Sequence, residues 1–402
     1  MTTETSPAQT KAQTKAQART APSAPAPAAD VVPYAHTRLP DTERELLREV
    51  LYEVGTDPEQ KFILGRRTAE LERRLAERTG VRDVVACASG TGALTLALRA
   101  VGVAPGDEVI VPAFGAEPLA ATVLGVGAVP VFADVDPVTM VLDPVDAESR
   151  VTGRTRAVVP AHTFTTMADM PAIRSFARRR GIAVVEDAAV AQGATLGGRA
   201  AGTWGDVGLY SFFPVKPFGM PGEGAVVLSD DAELASLVRR LRNHGQDGVQ
   251  RFVHHEVGFN SRFDEVQAGF QLGRLERADD MVARRAAVAE HYNARFAALR
   301  GRGLLAPTAG ADGQCHYVYA VQTICRDSLA AHLAAHGVGS RVYYPVPLPR
   351  LAAFAAYAGT GADGRRPGAE LASARHLALP LNLSLTDSQV ERTADVVCAF
   401  FD

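Results

Sequence analysis

The chain has 402 residues, 47% of them hydrophobic, and a formal net charge of −3 at pH 7. This length allows a large domain with a sizeable core and a second, smaller domain. The charge gives no indication of a nucleic-acid or membrane-surface partner, and the apolar runs are shorter than the ~20 residues of a membrane span. Four cysteines lie scattered without the spacing of a metal site or a disulfide framework, which predicts a reduced, cytoplasmic protein.

The first 32 residues have the composition of a disordered tail. A polar repeat, TKAQTKAQART, is followed by the proline- and alanine-rich segment APSAPAPAAD. Neither segment has enough apolar side chains to offset the entropy lost on ordering, and neither has the continuous apolar core of a signal peptide. We therefore predict disorder over residues 1–32.

From about Phe62 the sequence alternates between helices and apolar strands. RRTAELERRLAERTG predicts an amphipathic helix that ends at Gly80, and DVVACASGTGALTLALRAVG predicts a strand, a glycine turn and a buried helix. The further predicted strands are DEVIVPAF, AVPVFADVD, TRAVVPAHTF, IAVVEDAA, GDVGLYSFF and GEGAVVLSDD, and the further helices are MPAIRSFARRRG and DAELASLVRRLRNHG. Apolar strands separated by helices indicate a mostly parallel sheet covered on both faces. The pattern changes near residue 280, so we predict a large domain over 33–275 and a smaller α+β domain over 276–402.

Lysine is rare in this chain, and one lysine lies where a strand meets a turn. Only four of the 42 basic residues are lysines, and two of these belong to the predicted tail. Lys61, in PEQKFILG, is predicted to be exposed, whereas Lys216, in SFFPVKPFG, follows an apolar run. A desolvated lysine can lose its proton and attack a carbonyl, which arginine cannot do. Lys216 is therefore the candidate nucleophile.

Two more motifs match the chemistry that a reactive lysine suggests. The glycine turn SGTGAL feeds a helix start whose free N–H groups suit a phosphate, although it lacks the third glycine of a dinucleotide fingerprint. Asp187 ends the strand IAVVEDAA, where ligands collect in open α/β sheets. Taken singly, these features also fit a close-packed helix start and a helix cap. Together with Lys216 they provide what pyridoxal 5′-phosphate (PLP) needs: a phosphate cradle, an acid for the ring nitrogen and a lysine for the Schiff base.

At these residues the chain resembles the DegT/DnrJ/EryC1/StrS family, the sugar-aminotransferase-like branch of fold-type I PLP enzymes. The resemblance runs from about Phe62 to the C-terminus. It is carried by FILGRRTAELE, SGTGALTLAL, GDEVIVPAF, VVEDAA, GDVGLYSFFPVK, GEGAVVLSDD, GFNSRFDEVQAG, CHYVYAV and LALPLNLSLT. It implies a fold-type I α/β architecture, with a mostly parallel sheet in the large domain and a smaller α+β C-terminal domain. It also implies a homodimer whose active sites lie at the interface.

The resemblance implies a role for each matching residue. Lys216 would be the Schiff-base lysine and proton shuttle, and Asp187 would pair with the pyridine nitrogen. Ser211 and the backbone of Thr91 and Gly92 would hold the phosphate, and Asn260 would reach the phosphate of the neighbouring subunit's cofactor. The ordinary alternatives are a strand-end hydroxyl for Ser211 and a turn residue for Asn260.

The chain departs from the family pattern where the substrate side is shaped. Val190 replaces the usual Gln or His, and the motif after the VP strand has lost its threonine and its ring-stacking aromatic. His162 is kept without the glycine that usually follows, and two late histidines are replaced. After the VP strand the residues are now Gly115, Ala116, Glu117 and Pro118, and the two late histidines are replaced by Tyr343 and Pro349. Phe114 is the aromatic residue near the missing stacking position.

The leading interpretation is an aminotransferase that moves an amino group from glutamate or glutamine to a keto-sugar or a related natural-product ketone. The changes at Ala116, Val190, Tyr343 and Pro349 keep a second interpretation open: another PLP reaction, such as elimination, dehydration or decarboxylation, on a non-nucleotide substrate. A third is a non-catalytic PLP-binding regulator, which the retained Lys216 disfavours. The predicted partners are a small-molecule substrate, an amino-acid donor and a second copy of the chain.

Overall fold

Apolar strands and amphipathic helices form an α/β fold in a computed structural model that describes residues 31–35, 38–59, 61–250, 252–307, 312–359 and 365–402. All but the last two residues of the predicted tail lie outside this description. Val32 is buried and forms a parallel bridge with Val338. Val32 therefore packs against the C-terminal part of the chain, and the end of the tail at residue 32 stays a prediction.

The described residues form eleven strands, and those of the central sheet occupy the predicted apolar segments. They are β1 (Asp83–Cys87), β2 (Glu108–Pro112), β3 (Val129–Ala133), β4 (Thr155–Val158), β5 (Ala183–Asp187), β6 (Thr195–Leu196), β7 (Arg199–Ala200), β8 (Val207–Ser211), β9 (Ala225–Ser229), β10 (Tyr319–Gln322) and β11 (His376–Leu379). Seven of them form the central sheet in the order β1-β9-β8-β5-β4-β2-β3. Every residue of β2, β8 and β9 is buried, as expected for strands covered on both faces.

The direction of the strands determines which residues meet at one edge of the sheet. The pairings of β3, β2, β4, β5 and β8 are parallel, and β9 is antiparallel to both β8 and β1. Two successive reversals give β1 the same direction as β8. The carboxyl ends of β1, β5 and β8 therefore lie on the same edge, the edge at which open α/β sheets bind ligands.

Helices cover this sheet and continue into the C-terminal part of the chain. They are α1 (Asp41–Gly55), α2 (Arg66–Thr79), α3 (Gly90–Ala100), α4 (Pro118–Gly125), α5 (Pro144–Ser149), α6 (Met170–Arg180), α7 (Ala232–Leu241), α8 (Glu265–Leu275), α9 (Ala278–Phe296), α10 (Arg326–Ala335), α11 (Pro367–Arg375) and α12 (Asp387–Phe401). Gly80 ends α2 in the left-handed conformation, at φ 74°, as the sequence predicts. None of the described helices is long and apolar enough to cross a membrane.

The C-terminal part has a sheet and an apolar core of its own. Strands β10 and β11 pair antiparallel, and α9, α10 and α12 bury Tyr292, Leu333 and Val397 around them. The smaller α+β arrangement predicted after residue 280 is thus present. Contacts nevertheless group Val32–Asp402 into one unit, and the boundary at residue 276 stays a prediction.

Candidate active site

The loop between β8 and β9 holds Lys216 in a tight turn. The N–H of Lys216 donates to the carbonyl of Phe213 at 2.8 Å, and its own carbonyl accepts from the N–H of Gly219 at 2.8 Å. A side chain at Gly219 would place Cβ 2.4 Å from the carbonyl oxygen of Pro214, so only glycine fits there. Gln271 of α8 fixes the far side of the loop by donating to the carbonyl of Phe218 at 2.7 Å.

The ammonium nitrogen of Lys216 lies 4.6 Å from the ring centroid of Tyr317. Burial lowers the pKa of Lys216, and the nearby Asp187 carboxylate opposes this shift only in part. A lower pKa increases the fraction of neutral amine at pH 7, which is the form that attacks a carbonyl. Lys61, the other described lysine, is exposed, as the sequence predicts.

Asp187 ends β5 on the ligand-binding edge of the sheet. Its Oδ1 accepts from the N–H of Ala189 at 2.9 Å, and Oδ2 accepts no hydrogen bond from the described residues. Burial raises the pKa of Asp187, although this hydrogen bond and the charge of Lys216 act in the other direction. A cationic N–H donor in the cavity would pair with Oδ2 and favour the carboxylate.

The start of α3 lies against the end of β8. Ser89 caps the helix by accepting from the N–H of Gly92 at 3.1 Å, so this amide is already bonded within the chain. A Cβ at Gly90 would lie 3.1 Å from Oγ of Ser211, which brings the serine hydroxyl directly against the helix start. Thr91 is exposed toward the same cavity.

These residues line one cavity of about 440 Å³. Its lining includes Thr91, Asp187, Ser211 and Lys216, four of the six predicted site residues. Gly92 lies one residue beyond the lining. Asn260 is exposed, accepts from Arg262 at 3.0 Å and does not line this cavity. The predicted role of Asn260 concerns a neighbouring subunit and stays a prediction.

Aromatic side chains line the cavity, although none stands at the position where the family pattern has an aromatic residue that stacks on the cofactor ring. Gly115 and Ala116 are part of the wall, whereas Phe114 is fully buried and does not line it. The aromatic residues of the wall are Phe164, Phe213, Tyr317 and Tyr344. Phe164 and Tyr344 are stacked, with ring centroids 6.5 Å apart. Sequence reasoning missed both, because only the fold brings these two separate loops together.

Behind Asp187, a fully buried pair of side chains fixes the loops around the cavity. Nδ1 of His162 accepts from the N–H of Ala168 at 3.0 Å, so Nε2 carries the proton and donates to Glu186 at 2.8 Å. The same carboxylate accepts from the N–H groups of Gly202 at 2.6 Å, Trp204 at 2.6 Å and Gly205 at 3.0 Å. The retained His162 thus positions the chain and is bonded on both ring nitrogens.

This geometry agrees with comparisons against known proteins. A model of the DegT/DnrJ/EryC1/StrS aminotransferase family matches residues 43–398. The chain belongs to this family. It is 41% identical over 342 residues to the UDP-N-acetyl-3-dehydro-α-D-glucosamine 3-aminotransferase of Acidithiobacillus ferrooxidans, covering 84% of this chain and 89% of that protein. The aminotransferase class and the fold-type I architecture predicted from the sequence are confirmed at the level of the family.

Two solved structures have closely similar folds. DesV from Streptomyces venezuelae, crystallised with a ketimine intermediate, superposes with a TM-score of 0.85 at 35% identity, covering 92% of this chain and 99% of DesV. NtdA from Bacillus subtilis, solved with the cofactor PMP (pyridoxamine phosphate), gives a TM-score of 0.86 at 28% identity, covering 92% of this chain and 85% of NtdA.

Proposed function

We propose that this aminotransferase uses PLP to transfer an amino group from an amino-acid donor to a keto-sugar or a related natural-product ketone. The observation that carries the proposal is the meeting of Lys216, Asp187 and the α3 start in one cavity. The nucleotide-sugar substrate in the name of the Acidithiobacillus relative and the PMP bound to NtdA support the substrate class and the cofactor.

The side chains around the cavity fit this cofactor. The unbonded Oδ2 of Asp187 suits a protonated ring nitrogen. The absence of a side chain at Gly90 leaves the Ser211 hydroxyl and the first turn of α3 side by side, and both can donate to phosphate oxygens. Because the N–H of Gly92 already donates to Ser89, we assign the phosphate contacts first to Ser211 and Thr91. Gly92 would contact the phosphate only if its N–H were shared between Ser89 and a phosphate oxygen.

Bound PLP supplies an electron sink for the carbanion that forms at the donor's α-carbon. The residues of the chain supply the rest. Lys216 would provide the amine that links to the cofactor, and the burial that lowers its pKa favours the neutral form, which can accept and return a proton. Asp187 would stabilise positive charge on the ring nitrogen, and the buried surroundings that raise its pKa would also strengthen this pairing.

We further propose that the chain works as a homodimer. Several large apolar side chains are exposed just before α2, on the loop that holds Lys216 and on the segment before Asn260, and exposed apolar side chains are typical of protein interfaces. They are Phe62, Ile63, Phe213, Val215, Val257 and Phe259. Asn260 directly follows Phe259, one of these exposed residues, which supports the proposal that it reaches a neighbouring subunit. The four cysteines are free, which supports a cytoplasmic location.

Amino transfer can be tested directly with isotope-labelled donors. The purified chain, supplied with PLP, ¹⁵N-labelled glutamate or glutamine and a panel of nucleotide-linked keto-sugars, should yield a product that carries ¹⁵N by mass spectrometry. The Lys216→Ala variant should yield none, because it lacks the amine. If no amino donor converted the cofactor to its amine form, the transaminase assignment would fail and another PLP reaction would be favoured.

A further inference from the structure

A second cavity, of about 490 Å³, is also lined by Lys216. We call it the arginine cavity; its lining includes Arg38, Arg274, Arg285, Tyr34, Tyr343 and Ser384. Lys216 and Tyr317 line both this cavity and the one described above. A molecule in the arginine cavity therefore borders on the side chain of Lys216, and none of Thr91, Asp187 and Ser211 lines this cavity.

Arg285 of α9 is the unusual residue of this cavity. It is only 7% exposed, and none of the described carboxylates lies within ion-pair distance of it. Its hydrogen bonds all fall on one nitrogen: Nη1 donates to the carbonyls of Leu381 at 3.1 Å, His316 at 3.3 Å and Tyr317 at 3.4 Å. Nε is buried without a partner in the described structure.

A buried cation without a counterion is costly, and the structure provides a contrast within the same cavity. Arg274, which is similarly buried, forms an ion pair with Glu43. Burial, and then the charge of Arg274, lowers the pKa of Arg285 to about 10, so that it remains cationic at pH 7. An anionic ligand would supply the counterion that Arg285 lacks. Nη2 of Arg285 makes no hydrogen bond to the described residues, and a charged N–H donor of this kind suits a carboxylate.

We propose that Arg285 binds a carboxylate of the amino-acid donor in the arginine cavity, while the donor's amino group faces Lys216. This inference rests on the aminotransferase function proposed above. It assigns the donor to the side of Lys216 lined by Tyr34 and Tyr343, whose hydroxyls add two polar groups to the wall. The position of Tyr343, where the family usually has histidine, thus contributes to the donor side of the site.

The test measures binding rather than turnover, so it succeeds or fails independently of any reaction. Glutarate has the two carboxylates of glutamate without its amine, and its affinity for the full-length protein can be measured by isothermal titration calorimetry. Arg285→Gln should weaken glutarate binding by about tenfold or more, because a charge-assisted hydrogen bond is lost. Arg285→Lys, which keeps the charge, should retain an intermediate affinity. Arg38→Gln removes an exposed charge at the same cavity and should change the affinity less than about threefold, because solvent screens it.

Ser384→Trp provides a second variant that leaves Arg285 and its backbone contacts intact. Ser384 is an exposed residue of the wall, and an indole there should block the cavity and abolish glutarate binding. Equal glutarate affinity in the wild type, Arg285→Gln and Ser384→Trp would overturn the proposal. So would loss of uridine diphosphate binding, rather than glutarate binding, in Arg285→Gln, because the arginine would then serve the acceptor's phosphates. Normal glutarate binding in a chain that transfers no amino group would contradict the proposed function alone.

Discussion

Replacing Glu186 by glutamine tests the hydrogen-bond network that holds the loops behind Asp187. The carboxylate accepts four N–H donors, two on each oxygen: His162 and Gly202 on Oε1, Trp204 and Gly205 on Oε2. A glutamine amide turns one of these oxygens into an NH₂ group that faces two donors. Two hydrogen bonds to a charged acceptor are lost, and at about 1.5–3 kcal/mol each the expected loss of unfolding free energy is about 3–6 kcal/mol.

The only tryptophan of the chain, Trp204, belongs to this network and reports on it. Urea unfolding followed by tryptophan fluorescence should therefore show a clearly lower midpoint for Glu186→Gln. Glu223→Gln is the matched control: it removes a carboxylate that is exposed, so the unfolding free energy should change by less than about 0.5 kcal/mol. A Glu186→Gln variant within about 1 kcal/mol of wild type would refute the view that these donors require the charged acceptor.

Three further substitutions test one residue of β11 and two residues of the site. Burial lowers the pKa of His376 from 6.5 to about 4, so the unfolded chain takes up a proton at a higher pH than the folded chain does. The contribution of His376 to the unfolding free energy is therefore complete above pH 6.5 and is lost as the pH falls toward 4. Between pH 7 and 5 the wild type should lose about 2 kcal/mol more unfolding free energy than His376→Phe, and equal losses in urea titrations would contradict this. Gly90→Ala forces Cβ against Ser211 and should weaken PLP binding about tenfold in fluorescence titrations, whereas Gly55→Ala, which meets open space, should not. Asp187→Asn should slow the half-reaction with the donor at least about tenfold in stopped-flow absorbance, and an unchanged rate would remove Asp187 from the chemistry.

The fold could be predicted from the sequence because its signals are local. Largely apolar strands such as β2 and β8, and the end of α2 at Gly80, are each encoded within a few residues. The order of the motifs then brings Asp187 and Ser211 together, since both end strands that run in the same direction on adjacent positions of the sheet. Lys216 lies close to them because only a short loop separates it from the end of β8.

The rest of the site depends on contacts between residues far apart in the chain. Phe164 and Tyr344 stack although they lie far apart in the chain, and no local pattern in either segment indicates this contact. Arg285 looks like one more charge in the α9 sequence ADDMVARRAAVAEHY, yet three backbone carbonyls from two other segments enclose it. The hydrogen bond between Ser89 and Gly92 is predictable as a helix cap, but the competition it creates for the phosphate is visible only in the structure.

The central claim, that Lys216 and Asp187 hold PLP for amino transfer, is tested most directly by an absorption spectrum of the purified protein. With PLP present, the account predicts a yellow band of the lysine-linked cofactor, absent in Lys216→Ala, that gives way to the pyridoxamine phosphate spectrum when glutamate or glutamine is added. A band that persists with every amino donor would contradict the transaminase assignment. A spectrum of free PLP alone, the same in the wild type and in Lys216→Ala, would contradict the site itself.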